Sequence, residues 1–88
     1  MPSAPPVTET DAQLATRLAV EAGELLVALR AEMFAAGASI WDVRDAGDAA
    51  AQRYLAGELH THRADDAVLS EEGLEDVRRY EADRVWII

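Results

Sequence analysis

Two adjacent glutamates, Glu71 and Glu72, follow the short apolar run of the segment DAVLSEEG, residues 66–73. Like charges at this spacing destabilise each other unless something compensates them, and Mg²⁺ prefers such carboxylate oxygens as ligands. If the segment is a strand, the two side chains point to opposite faces, so one can bind a metal directly and the other through water. The alternative is a solvated strand end before a turn at Gly73, and the spacing alone favours that simpler interpretation.

The other polar and aromatic candidates have ordinary structural explanations. Asp48 stands before an alanine-rich helical pattern, so we predict that it is a helix N-cap. His60 and His62 do not share a helix face, which indicates a surface position at a helix end, favoured by the helix dipole. Trp41 and Trp86 are predicted to be packing residues, because no basic patch accompanies them.

Composition excludes several classes of function. The 88 residues include 8 basic and 17 acidic side chains, a net charge of −9, which argues against binding to nucleic acid or to anionic membranes. An acidic chain binds phosphorylated ligands through bridging metal ions. The absence of cysteine, of a signal peptide and of a long apolar segment predicts a soluble, cytoplasmic protein. Residues 1–10, with three prolines, are expected to be a disordered lead-in.

The first element that must position these residues is a long helix. Thr10 and Gln13 have the form of a capping box, and Gly37 is a typical helix terminator. Between them a single apolar stripe indicates a helix over residues 11–35: Leu14, Leu18, Ala22, Leu25, Leu26, Leu29 and Met33.

A second helix and two strands are predicted after a connector. Residues 37–48 lack a helical period, so we expect a connector with a short extended piece around Ile40 and Trp41, then a helix from Asp48 to about His62. A strand is centred on Val68, and RVWII, residues 84–88, is predicted to be a buried strand. The two helices are expected to pack through six leucines: Leu14, Leu18, Leu25, Leu29, Leu55 and Leu59.

Two helices and two strands are too few to cover the RVWII strand on both faces. The missing neighbours are expected from residues beyond 88 or from another chain, which leaves a homodimer as an option.

Three segments, taken in order, resemble a known family: AGDAAAQRYL (46–55), DAVLSEEG and RVWII. They are similar to the first half of the inositol monophosphatase superfamily, in particular its CysQ-type branch of 3′(2′),5′-bisphosphate nucleotidases. In that family, a strand like RVWII runs directly into an Asp-Pro-Leu-Asp-Gly-Thr motif. The resemblance implies an α/β fold, a layered sandwich to which this chain contributes two amino-terminal helices and two strands. Residues 11–88 would then be the truncated amino-terminal part of a sugar or nucleotide phosphatase domain.

The same resemblance implies roles for three carboxylates. Glu71 matches the glutamate that coordinates metal near the substrate phosphate, so it is the implied metal and substrate ligand. Glu72 matches a neighbouring acid that reaches the metal through water, and Asp48 matches an aspartate that helps to orient the attacking water. The implied catalytic residues are therefore Asp48 and Glu72, and the implied cofactor is Mg²⁺.

The function implied is hydrolysis of a phosphate monoester in a small phosphorylated substrate. The expected substrate is 3′-phosphoadenosine 5′-phosphate or its sulfated analogue, with inositol or fructose phosphates as alternatives. The 88 residues alone are expected to be inactive, because the remaining metal ligands of the family are absent. The rival hypothesis is a small acidic helical module that binds a protein partner. An Asp-Pro-Leu-Asp-Gly-Thr continuation in the downstream coding sequence would distinguish the first from the second.

Overall fold

The computed structural model of the chain describes residues 9–70 and 81–88. Two helices, α1 (Asp11–Ala35) and α2 (Ile40–His62), precede two short strands, β1 (Ala67–Leu69) and β2 (Val85–Ile87). The predicted order of elements is confirmed for the described residues, and neither helix has the length and apolar character needed to cross a membrane. The lead-in before residue 9 and most of the predicted short segment between the strands lie outside the described residues.

Both ends of α1 follow the prediction. The Thr10 hydroxyl oxygen accepts a hydrogen bond from the Gln13 amide at 3.1 Å, and the Gln13 side chain accepts one from the Thr10 amide at 2.9 Å. These reciprocal bonds satisfy two amides that the helix itself leaves without partners. At the other end Gly37 has a φ of 84°, a left-handed conformation that glycine adopts without steric cost.

The start of α2 differs from the prediction. The helix begins at Ile40, so the connector is confined to residues 36–39 and the extended piece around Ile40 and Trp41 is wrong. The N-cap is Ser39, whose hydroxyl oxygen accepts a hydrogen bond from the Asp42 amide at 3.1 Å. A serine cap with an acidic residue in the first turn is a strong helix start, and it outweighs the missing apolar period downstream.

Asp48 is consequently an interior residue of α2, and its predicted role as N-cap is wrong. The preceding Gly47 does not interrupt the helix. A Cβ atom at Gly47 would stand 3.5 Å from Cδ2 of Leu26, an ordinary packing distance. The helix therefore continues through a glycine that the sequence pattern assigns to a connector.

The helices bury a small apolar core between them and the sheet. Leu14, Leu18 and Leu59 form its centre, and five partly buried residues pack against them: Tyr54, Leu55, Val68, Trp86 and Ile88. Packing through four of the six predicted leucines is confirmed, whereas Leu25 is 40% exposed and lies away from the core. Leu29 is half-buried.

The two strands pair in parallel, with Val68 opposite Trp86. The Ala67 amide donates to the Arg84 carbonyl at 3.0 Å, and the Ile88 amide donates to the Leu69 carbonyl at 2.9 Å. The strand at RVWII is confirmed, and Ile87 is 70% exposed, as expected for a strand that this chain covers on one face only. Side chains alternate along a strand, so only one face of a sheet packed on one side by helices is covered.

Ionic contacts join the amino-terminal edge of this sheet to both helices. Asp11, in the first turn of α1, accepts hydrogen bonds from Arg84 and, at 3.2 Å, from Nε of Arg63. Asp66 accepts from the Trp86 indole at 2.9 Å and lies 3.4 Å from Nε of Arg84. The hydrogen bond from Arg84 is the main reason why the pKa of Asp11 lies below its usual value.

A second polar contact crosses between the helices. The Tyr54 hydroxyl of α2 donates to the Glu21 carboxylate of α1, and Arg17 contacts both Glu21 and Glu9. Because the phenolate would face this carboxylate, the contact raises the pKa of Tyr54 to about 12. The same hydrogen bond lowers the pKa of Glu21.

Replacing a buried leucine of α1 should destabilise the fold far more than replacing an exposed one. Leu14 is fully buried, so Leu14→Ala should lower the free energy of unfolding by about 2–5 kcal/mol. The matched control is Leu25→Ala on the same helix, which should cost less than about 1 kcal/mol. Urea unfolding followed by circular dichroism measures both, and equal losses would contradict the packing described above.

The ion pairs of Asp11 predict loss of stability in acid. The folded-state pKa of Asp11 is lower than its ordinary value of 3.8. Its contribution is therefore present above that value and is lost as the pH falls through the lower, folded-state pKa. Asp11→Asn should reduce the slope of unfolding free energy against pH in this acid range. The exposed Asp65→Asn is the control, and an equal change in slope for both variants would contradict a specific role of Asp11.

Candidate functional site

The predicted site residues Glu71 and Glu72 follow β1 in the sequence, after the carboxyl end of that strand. Parallel strands bring their carboxyl ends to the same edge, so the chain leaves β1 at Ser70 and β2 at Ile88 on one side of the sheet. Open parallel sheets commonly bind ligands just outside the carboxyl ends of their strands. Ser70 immediately precedes Glu71 in the sequence.

A side-chain contact fixes α2 against this edge. The Ser70 hydroxyl donates a hydrogen bond to Oε1 of Gln52, and both residues are half-buried. The contact joins the middle of α2 to the first residue beyond β1. The face of α2 that carries Gln52 is therefore the one turned toward the exit of β1.

Asp48 lies on that face of α2. It precedes Gln52 by four residues, which places it one helical turn away, about 6 Å along the axis and on the same side. Its side chain is exposed, and within residues 9–70 and 81–88 its carboxylate has no hydrogen bond or ion pair. Since Asp48 does not cap the helix, the structural explanation that the sequence offers for this acid does not apply.

Glu71 and Glu72 lie outside the described residues, so their roles as metal ligand, substrate ligand and catalytic acid stay predictions. In the described part of the chain, no three histidine or acidic side chains come together as a metal site. A cation bound by the predicted ligand Glu71 would thus need further ligands from other parts of the protein. The donor chemistry of Glu71 fits, because a carboxylate oxygen is the kind of ligand that Mg²⁺ binds.

The histidines are surface residues, as predicted. His60 and His62 are exposed in the last turn of α2. Nε2 of His62 lies 3.1 Å from the Glu58 carboxylate and 3.4 Å from the Arg17 guanidinium. These contacts stand at the opposite end of α2 from Asp48, so neither histidine contributes to the candidate site.

The two tryptophans have different environments. Trp86 packs against the core as predicted, with its indole hydrogen-bonded to Asp66. The prediction of a packing role is wrong for Trp41, which is 68% exposed among the described residues. The Arg44 guanidinium lies 5.6 Å from its ring centroid, a cation–π contact on the helix surface.

The pair formed by Gln52 and Ser70 was not predicted from the sequence. Gln52 stands four residues after Asp48, so a helix spanning both would have placed them on one face. Its partner Ser70 is distant in sequence and belongs to another element, and no local pattern connects the two.

The chain is similar to known proteins over most of its length. It is 48% identical over 80 residues to a protein of Mycobacterium leprae named 3′-phosphoadenosine 5′-phosphate phosphatase, covering 90% of this chain and 28% of the relative. Proteins of the same name from Mycobacterium bovis and Mycobacterium tuberculosis are each 46% identical over 68 residues, covering 77% of this chain and 25% of the relative.

These matches confirm the resemblance inferred from the three segments: the chain is homologous to 3′-phosphoadenosine 5′-phosphate phosphatases. It spans about a quarter of the length of the curated relatives that it matches. No family model matches the chain.

Because Asp48 lies inside α2, its replacement by alanine should not lower the free energy of unfolding. Loss of an N-cap costs about 1 kcal/mol, whereas aspartate inside a helix is less favourable than alanine by about 0.5 kcal/mol. Asp48→Ala should therefore leave the free energy of unfolding unchanged or raise it slightly. Ser39→Ala, the matched control at the observed cap, should lower it by about 1 kcal/mol. Urea unfolding measures both, and a loss at Asp48 with none at Ser39 would contradict the observed helix start.

Proposed function

We propose that the protein to which this chain belongs is a Mg²⁺-dependent phosphate monoester hydrolase that acts on 3′-phosphoadenosine 5′-phosphate. The observation that carries the proposal is the identity of 46–48% with three proteins named as phosphatases of that compound. The sulfated analogue of the compound is a further candidate substrate, and inositol and fructose phosphates are weaker ones. The whole protein is proposed to form a layered α/β sandwich.

The described geometry supports a site at the carboxyl edge of the sheet. Gln52 and Ser70 connect α2 to the end of β1, and Asp48, one turn away, has a carboxylate without a partner among residues 9–70 and 81–88. The chain continues from Ser70 into Glu71 and Glu72. Acidic residues from a helix and from a strand exit can thus contribute to one cluster, although they are distant in sequence.

Each carboxylate has a proposed task. Glu71 binds the cation and borders the substrate phosphate, and Glu72 holds water beside it. Asp48 accepts a hydrogen bond from the attacking water and orients it toward phosphorus. When bound, Mg²⁺ offsets the negative charge of the phosphate and of these acids. Without the cation, the chain's net charge of −9 would repel the phosphate.

Interior placement suits the proposed task of Asp48. A helix holds the Cα atom of Asp48 rigidly, because the residues before and after it are also helical. An exposed carboxylate on a rigid element is available to water and ligands without a change in the backbone.

A second candidate function is that of a protein-interaction module, and the exposure of β2 favours it. Ile87 is 70% exposed and Val85 is 41% exposed, so β2 presents apolar surface that another chain can cover. A homodimer would be one such assembly. This alternative does not explain the identity with the phosphatases.

A chimera tests the proposed function. The 80 matched residues of the Mycobacterium leprae phosphatase are replaced by the corresponding residues of this chain, and phosphate release from 3′-phosphoadenosine 5′-phosphate is measured against Mg²⁺ concentration. We expect Mg²⁺-dependent release by the chimera and none by the 88 residues alone. Glu71→Gln should reduce kcat by about 100-fold, because it removes a charged metal ligand, and Glu72→Gln should reduce it less.

The control is the double variant His60→Gln/His62→Gln, which should keep kcat within about twofold. Circular dichroism checks that every variant folds. An active chimera that works equally well with Gln at position 71 would contradict the site assignment. A folded chimera without any phosphatase activity would contradict the proposed function of the segment.

A further inference from the structure

Gln52 of α2 contacts the exit of β1. Its side-chain oxygen accepts a hydrogen bond from the Ser70 hydroxyl. Gln52 is half-buried, and the preceding turn of the same face carries Asp48. We propose that Gln52, acting through Ser70, is a positioning residue that fixes the catalytic face of α2 against the exit of β1.

Tyr54 and Arg63 hold α2 to α1 through Glu21 and Asp11, whereas Gln52 holds α2 to the exit of β1. The strand exit is held within the sheet by the Ile88 amide, which donates to the Leu69 carbonyl at 2.9 Å. The apolar core, centred on Leu14, Leu18 and Leu59, sets the distance between helices and sheet. Apolar packing is not directional, so it permits small translations of α2 along its axis and small rotations about it. A directional hydrogen bond between Gln52 and Ser70 restricts both movements.

The chemical consequence follows from the helix geometry. Successive residues of a helix are about 100° apart around its axis. A rotation of α2 by a fraction of that angle therefore moves the Asp48 carboxylate by more than an ångström. Displacements of this size lower catalytic rates by orders of magnitude. The inference rests on the proposed function, because it is the carboxylates of that site which must be aligned.

The length of the glutamine side chain matters to this role. Asparagine at position 52 would place its amide one methylene short of Ser70, and leucine would fill similar volume without an acceptor. Gln52 therefore provides both reach and an oxygen, and Ser70 provides the donor. The pair predicts that loss of either member has the same consequence, and that loss of both adds nothing further.

The experiment uses the chimera with four variants: Gln52→Leu, Ser70→Ala, the double variant Gln52→Leu/Ser70→Ala, and Ser70→Thr. Kinetics give kcat and KM for 3′-phosphoadenosine 5′-phosphate, and calorimetry without substrate gives the dissociation constant for Mg²⁺. We expect each of the first three variants to lower kcat and to weaken Mg²⁺ binding by about 10-fold, with KM unchanged. Ser70→Thr keeps the hydroxyl and should retain most of the activity.

The matched control is Arg53→Leu, at the next residue of α2, which is exposed and lies off the face of Gln52. It should leave kcat and Mg²⁺ binding within about twofold. Thermal unfolding followed by circular dichroism identifies variants that have simply lost structure.

If Gln52→Leu keeps its kcat while Glu71→Gln is impaired, the positioning role is overturned and the proposed function stands. If the two single losses multiply in the double variant, Gln52 does not act through Ser70. If neither Gln52→Leu nor Glu71→Gln has an effect, both proposals fail.

Discussion

Burial of Leu14, Leu18 and Leu59 is the interaction on which the other features of the chain depend. Each fully buried leucine contributes roughly 1.5–3 kcal/mol, and a small chain has few other apolar residues that are completely removed from water. The three leucines hold α1 against α2, and the partly buried Val68 and Trp86 bring both strands onto the same core. The positions of Asp48, Gln52 and Ser70 relative to one another follow from that packing.

The two edges of the sheet have different chemistry. At the amino edge, Asp11 and Asp66 are matched by Arg84, Arg63 and the indole of Trp86, so the acidic groups are neutralised within the chain. Near the carboxyl edge, the Asp48 carboxylate has no such partner among the described residues. The paired acids help to hold α1 and the loop before β1 to the amino end of the strands. The proposed site lies at the other end of the strands.

Local features can be predicted from the sequence, and long-range ones cannot. The capping box at Thr10 and the terminator at Gly37 depend on a few adjacent residues, and both ends of α1 follow them. The alanine-rich run after Asp48 predicts a cap there, although the shorter signal at Ser39 decides where α2 begins. The exposure of Trp41 and Leu25 depends on where the partner helix ends and crosses, which their own apolar character does not reveal. The contact between Gln52 and Ser70 arises only when α2 and β1 meet, so no local pattern contains it.

The central claim is that the face of α2 carrying Asp48 works together with Glu71 at the exit of β1. The most direct test is a double-mutant cycle on kcat of the chimera, with Asp48→Asn, Glu71→Gln and both changes together, measured at saturating Mg²⁺ and saturating 3′-phosphoadenosine 5′-phosphate. Residues of one site are coupled, so each single change should lower kcat by at least about 10-fold and the double variant should be little worse than either. Independent losses that multiply in the double variant, or an unchanged kcat after Asp48→Asn, would contradict the account.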